Sequence, residues 1–130
     1  MISILIADDS PAVRQGLRMR VSLEPDLAVV GEAGTGLEAV ELAQSCSPDV
    51  VVMDVEMPVM DGIAATRLLR TVAPASHVIV HSIHRDAATV AAAQRAGAAS
   101  FVEKQGAVDV LLAAIRAAAF PVNGDRGGGG

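Results

Sequence analysis

The sequence predicts an α/β domain in which a five-stranded parallel sheet carries helices on both faces. Three observations predict it. Short β-rich runs alternate strictly with helical patterns five times over, the mark of βα units feeding one parallel sheet. The runs "ISILIA", "DVVVM" and "HVIVHS" are nearly continuous apolar stretches, as expected of strands buried on both faces. The 130 residues suffice for one domain with a proper core.

Each element has its own justification. "ISILIA" (2–7) reads as the first strand. "SPAVRQGLRMRVSL" (10–23) reads as a helix, with Ser10 at the N-cap and Pro11 at the first helical position, where a missing N–H costs nothing. "LAVVGEA" (27–33) is the second strand, and "GLEAVELAQSC" (36–46) a helix with Leu37, Val40 and Leu42 or Ala43 on one face. "DVVVM" (49–53) is the third strand, "GIAATRLLRTV" (62–72) a helix and "HVIVHS" (77–82) the fourth strand. "DAATVAAAQRAG" (86–97) is a helix closed by Gly97. "ASFVE" (99–103) is the fifth strand and "AVDVLLAAIRAAA" (107–119) the last helix. The domain is expected over 1–120. The remainder, 121–130, holds Pro121, Asn123-Gly124 and four terminal glycines, and reads as a flexible tail or the start of a linker.

Composition excludes several classes. The chain is 52% hydrophobic, yet Asp49 and Asp54 flank "VVVM" and Arg116 interrupts the last helix, so nothing approaches the roughly 18 to 20 apolar residues of a membrane span. The start turns acidic too early for a signal peptide, and one cysteine, Cys46, excludes an internal disulfide; a cytoplasmic location is expected. The net charge is −5 and the basic residues are dispersed, so this domain alone is a poor nucleic-acid binder.

In a parallel sheet the carboxyl ends of the strands lie along one rim, and ligands bind there. The first strand ends in Asp8 and Asp9, the third in Asp54, the fourth in Ser82 and the fifth in Lys104. Three clustered carboxylates call for a cation, and Mg²⁺ is held by a few carboxylates while keeping waters and phosphate oxygens. A carboxylate can accept a phosphoryl group, with a lysine and a hydroxyl reaching the other phosphoryl oxygens. Of ten basic residues nine are arginines; the one lysine is Lys104, at the rim.

The segments "ILIADDSPAVRQGL", "PDVVVMDVEMPVMDGIAATRLLR", "HVIVHS" and "AGAASFVEK" resemble the receiver domain of two-component response regulators. "VVGEAGTGLEAVELA" resembles the subgroup that usually precedes a helix-turn-helix DNA-binding domain. The resemblance covers about residues 2 to 119. It implies a flavodoxin-like (βα)5 receiver fold with strand order 2-1-3-4-5. It also implies a phosphorylation-dependent signalling switch rather than an enzyme. Asp54 would be the phosphoacceptor, served by a sensor histidine kinase. Asp8, Asp9, Asp54 and the Glu56 backbone carbonyl would hold Mg²⁺. Ser82 and Lys104 would bind the phosphoryl group, and Ser82 and Phe101 would be the switch residues. Met57 and Pro58 shape the loop after the acceptor, and Gly62 opens the next helix. The output face would be the fourth helix, fifth strand and fifth helix, used for a homodimer or another partner on activation. DNA would be contacted only through an output domain absent from this chain. The alternative is a stand-alone receiver acting through protein partners or as a phosphoryl sink.

Two residues depart from the family pattern. Gln105 follows Lys104 where receivers commonly carry Pro, which leaves the geometry of that peptide open, since a cis bond without proline costs roughly 2.5–4 kcal/mol. Phe101 lacks the hydroxyl of the Tyr frequent there, which favours a packing switch over a hydrogen-bonded one. Two other functions compete. An aspartyl-nucleophile hydrolase would want an acid pair of the D-x-D type, where this chain has Asp54 and Glu56. A pseudo-receiver would lack the acidic, hydroxyl and lysine set. The three histidines fall within "HVIVHSIHRD". His77 and His81 lie roughly 13 Å apart on one strand at about 3.3 Å per residue, too far to share a metal ion. His77 reads as a boundary residue, and His81 as a packed, hydrogen-bonded histidine facing away from Ser82. His84, two residues past Ser82, is a candidate modulator of dephosphorylation.

Overall fold

The computed structural model describes residues 1–120; the expected tail at 121–130 lies outside the described residues. The elements follow in strict alternation: β1 (Ile2–Ala7), α1 (Pro11–Val21), β2 (Leu27–Ala33), α2 (Gly36–Cys46), β3 (Val50–Met53), α3 (Gly62–Val72), β4 (His77–Ser82), α4 (Ala87–Ala96), β5 (Ser100–Glu103) and α5 (Val108–Ala119). All strand pairs are parallel and the sheet order is β2-β1-β3-β4-β5. The order reverses at β1 and β3, which makes the crevice at their carboxyl ends the ligand position of such a sheet.

Several elements are shorter than the sequence reading by one or two residues, because the terminal residues are caps. The Ser10 hydroxyl accepts from the Val13 N–H at 3.3 Å, and the Asp86 carboxylate from the Thr89 N–H at 3.1 Å. Thr35 and Asp61 cap α2 and α3 in the same way. Gly97 closes α4 at φ +99°, and a Cβ there would lie 2.7 Å from Arg70 Cγ. Both backbone and space therefore require glycine.

Two apolar layers sandwich the sheet. Leu5, Val51, Met53, Val78 and Val80 face α2, α3 and α4, meeting Val40, Leu69 and Ala93. Ile4, Ile6, Val50, Val52 and Ile79 face α1 and α5, meeting Val21, Leu111 and Ile115. Period-two alternation along strands buried on both faces produces this division. The edge strand β2 departs from a regular ladder. Ile4 pairs with Val29 but Leu5 with Gly31, so Val30 bulges out, 42% exposed. Arg116, which breaks the apolar run of α5, reaches Asp26 at 2.9 Å and Glu24 at 2.7 Å and ties α5 to the turn before β2.

Candidate functional site

The strand ladders run directly into the candidate residues. The Asp8 N–H donates to the Ala33 carbonyl, the Asp54 N–H to Ala7, and the Lys104 N–H to Ser82. Asp8, Asp54, Ser82 and Lys104 are thereby delivered to one edge of the sheet by backbone geometry alone. Asp8 and Asp54 are buried, and Asp9 is exposed beside them. The three carboxylates each offer an oxygen, and these oxygens lie within 4.8 Å of one another.

Lys104 ties the cluster together. Its Nζ lies 2.7 Å from Asp8 Oδ2 and 3.2 Å from Asp54 Oδ1. Burial alone would lower the ammonium's pKa, but Asp8 and Asp54 outweigh it and hold Lys104 above its ordinary value. Asp54 is pushed up, first by burial and then by the Asp8 carboxylate, with Lys104 only partly compensating. A site that raises its own central carboxylate is short of positive charge. A divalent cation fits that deficit. A second fit lies in the β3–α3 loop, where the Glu56 carbonyl accepts no backbone hydrogen bond among the described residues.

Two glycines hold that loop close to β3. The Gly62 N–H donates to the Val55 carbonyl at 2.8 Å, and a Cβ on Gly62 would overlap the Asp54 carbonyl. A Cβ on Gly36 would overlap the Met60 carbonyl, so the start of α2 packs on the same loop. Between them Val59 adopts φ +70° and the Met60 N–H bonds the Pro58 carbonyl, closing a three-residue turn. A β-branched residue in that region is strained. The Met57 side chain is buried and anchors the loop.

Ser82 is buried, and its hydroxyl accepts from the His84 N–H at 2.9 Å, which leaves its own proton free to donate. His84 Nε2 lies 2.9 Å from Glu56 Oε2, a contact that spans the mouth between the β3–α3 and β4–α4 loops. Phe101 is half-buried and borders a cavity of about 400 Å³ with Val90 and Val110, on the face of α4, β5 and α5. His77 is half-buried at the opposite end of β4. No cis peptide occurs among the described residues, so the Lys104–Gln105 bond is trans.

One expectation needs correction and one residue was missed. His81 does face away from Ser82, toward α1 and α5, and it is buried. No group among the described residues pairs with its imidazole, however, and the ring instead lines a cavity between α1 and α5. Arg14 escaped the sequence reading. Its Nη1 donates to the Asp8 carbonyl at 2.6 Å and its Nε pairs with Glu32 at 3.2 Å, bracing the acidic loop against β2. Its place one turn into the helix after the acidic pair was the only available signal.

Comparison with known proteins agrees with this geometry. Residues 4–116 match the family described as the response regulator receiver domain. The chain is 48% identical over 104 residues to a protein-glutamate methylesterase/protein-glutamine glutaminase of Myxococcus xanthus, covering 79% of the chain and 30% of that protein. It is 35% identical over 117 residues to the nitrate/nitrite response regulator protein NarL of Escherichia coli, covering 90% of the chain and 54% of NarL. The crystal structure of the response regulator domain of Thermotoga maritima CheB superposes with a TM-score of 0.86 at 38% identity, over 92% of this chain and 96% of that one. The chain thus spans 30% and 54% of the length of these two curated relatives.

Proposed function

The chain belongs to the family of response regulator receiver domains, and we propose that it is a phosphorylation-dependent signalling switch with Asp54 as the phosphoacceptor. The observation that carries this reading is the Lys104 ammonium bridging Asp8 and Asp54 beside the buried Ser82. An Asp54 carboxylate oxygen attacks the phosphorus of a phosphohistidine on a sensor kinase. The P–O bond forms as the P–N bond breaks, and the departing imidazole takes up a proton. Lys104 exchanges its contact with Asp54 for one with a phosphoryl oxygen, and the Ser82 hydroxyl donates to another. Asp8, Asp9, Asp54 and the Glu56 carbonyl would hold Mg²⁺, which would offset the charge of the transferred group.

The test is incubation with acetyl phosphate with and without Mg²⁺, followed by intact-mass measurement. Mg²⁺-dependent addition of one phosphoryl group is expected, and Asp54→Asn should abolish it. Label that persists unchanged in Asp54→Asn would falsify the assignment.

His84 is proposed to set the lifetime of the phosphoryl group. Its 2.9 Å approach to Glu56 supports this reading, since a side chain placed there would restrict water approaching Asp54. His84→Ala should speed dephosphorylation several-fold in a quench time course; an unchanged rate removes the idea.

The output is read as transcriptional, through a DNA-binding domain outside this chain, on the strength of the NarL resemblance. The 48% identity to a methylesterase favours a second reading, a receiver controlling an enzymatic output. A stand-alone receiver is the third. The reading frame that follows Gly130 in the gene discriminates among them.

A further inference from the structure

Between α1, β4 and α5 lies a cavity of about 300 Å³ that phosphoryl transfer leaves without a task. Val13 and Leu17 of α1 and Val108 and Leu111 of α5 line it together with His81 and Lys104. His81 is 6% exposed and has no hydrogen-bond partner among the described residues. Burial, and then the nearby Lys104 ammonium, push its pKa down to about 4. At neutral pH the ring therefore carries one N–H donor and one bare acceptor nitrogen. An imidazole with no protein partner at the cavity wall offers a directed hydrogen bond to a molecule that enters.

Gly16 gives an independent indication. A glycine inside a helix costs roughly 0.5–1 kcal/mol relative to alanine. Packing does not demand it, because a Cβ added at Gly16 would meet nothing within 4 Å. Gly16 also lines the cavity, at its exposed edge.

We infer that this cavity binds a neutral small molecule with an apolar body of one or two rings and one hydrogen-bonding group directed at His81. Its volume sits at the small end of the range of roughly 300–1,000 Å³ for ligand pockets. Charge selects the neutral class. Lys104 is already shared by Asp8 and Asp54, so a further anion finds no free cation. Glu103 also lines the cavity but is already paired with Arg85 at 3.2 Å, and a cation would lose its hydration against the apolar side chains. Because Lys104 belongs both to this cavity and to the acidic cluster, occupancy should also alter phosphorylation of Asp54. That consequence rests on the proposed function, whereas the binding itself does not.

The test is titration of the ¹⁵N-labelled chain with indole, phenol and benzoate, followed by amide chemical shifts without any phosphodonor. Indole or phenol should produce saturable shifts at Val13, Leu17, Val108 and Leu111. His81→Leu should weaken binding by about three- to tenfold, the worth of one net hydrogen bond. Gly16→Leu, a change at an exposed position, should block the mouth and remove the shifts while the rest of the spectrum is unchanged. The inference is overturned by an absence of shifts at these residues at millimolar probe, or by equal affinity in both variants. It is equally overturned by benzoate binding as tightly as phenol. Shifts at the same residues that grow with protein concentration alone would assign the cavity to a second copy and overturn it as well.

Discussion

At the scale of single residues, the most consequential side chains are those that the fold takes out of water. His81 shows what that costs. Its pKa falls from 6.5 to about 4 because burial disfavours the imidazolium. The unfolded chain then binds a proton that the folded chain refuses between those values. The contribution of His81 is therefore fully favourable above about pH 6.5, and stability is lost as pH falls toward 4, by roughly 3 kcal/mol in total at about 1.4 kcal/mol per unit. Chemical denaturation of the wild type and His81→Leu between pH 7 and 4 checks this. The stability difference between them should shift in favour of the variant as pH falls, and parallel curves would contradict it. Lys104 and Asp54 were legible as candidates because strand ends in a parallel sheet share a rim. Arg14 was not, since its pairing with Glu32 arises only where α1 packs against β2, which no local spacing encodes.

At the scale of elements, caps and close approaches set the boundaries. Ser10, Thr35, Asp61 and Asp86 each accept a hydrogen bond from an N–H in the first turn of the helix that follows. Such signals are local, and for that reason the helix starts could be read from sequence to within a residue. The β2 bulge at Val30 could not be read, because a register shift is a property of two strands and not of one. Gly62 joins both levels. Sequence marks it as a helix opener, but only the structure shows that a Cβ there would overlap the Asp54 carbonyl. Gly62→Ala should therefore displace the β3–α3 loop, destabilise the domain by about 1–3 kcal/mol as overpacking does, and weaken Mg²⁺ binding. Thermal unfolding with and without Mg²⁺ measures both effects. A variant as stable as the wild type that gains the same stabilisation from Mg²⁺ would count against this role.

At the scale of the whole molecule, the face of α4, β5 and α5 is where phosphorylation should be read out. Phe101 borders an open cavity of about 400 Å³ there, which gives its ring room to repack, and Val110 is exposed nearby. Sedimentation velocity with and without beryllofluoride and Mg²⁺ should show a shift toward a dimer. Identical profiles, with no kinase or other protein bound more tightly in the activated state, would argue against that output face. The sequence by itself determined the α/β class, the five βα units and the rim residues. Hydrophobic periodicity, capping chemistry and strand-end position are encoded over a few consecutive residues, so they can be read one segment at a time. Only the tertiary structure decided which helices share a face and that Lys104 bridges Asp8 and Asp54. It also decided that His81 lines a cavity between α1 and α5. Those facts depend on distances between segments up to about a hundred residues apart along the chain. Such distances exist only once burial of two apolar layers has brought the segments together.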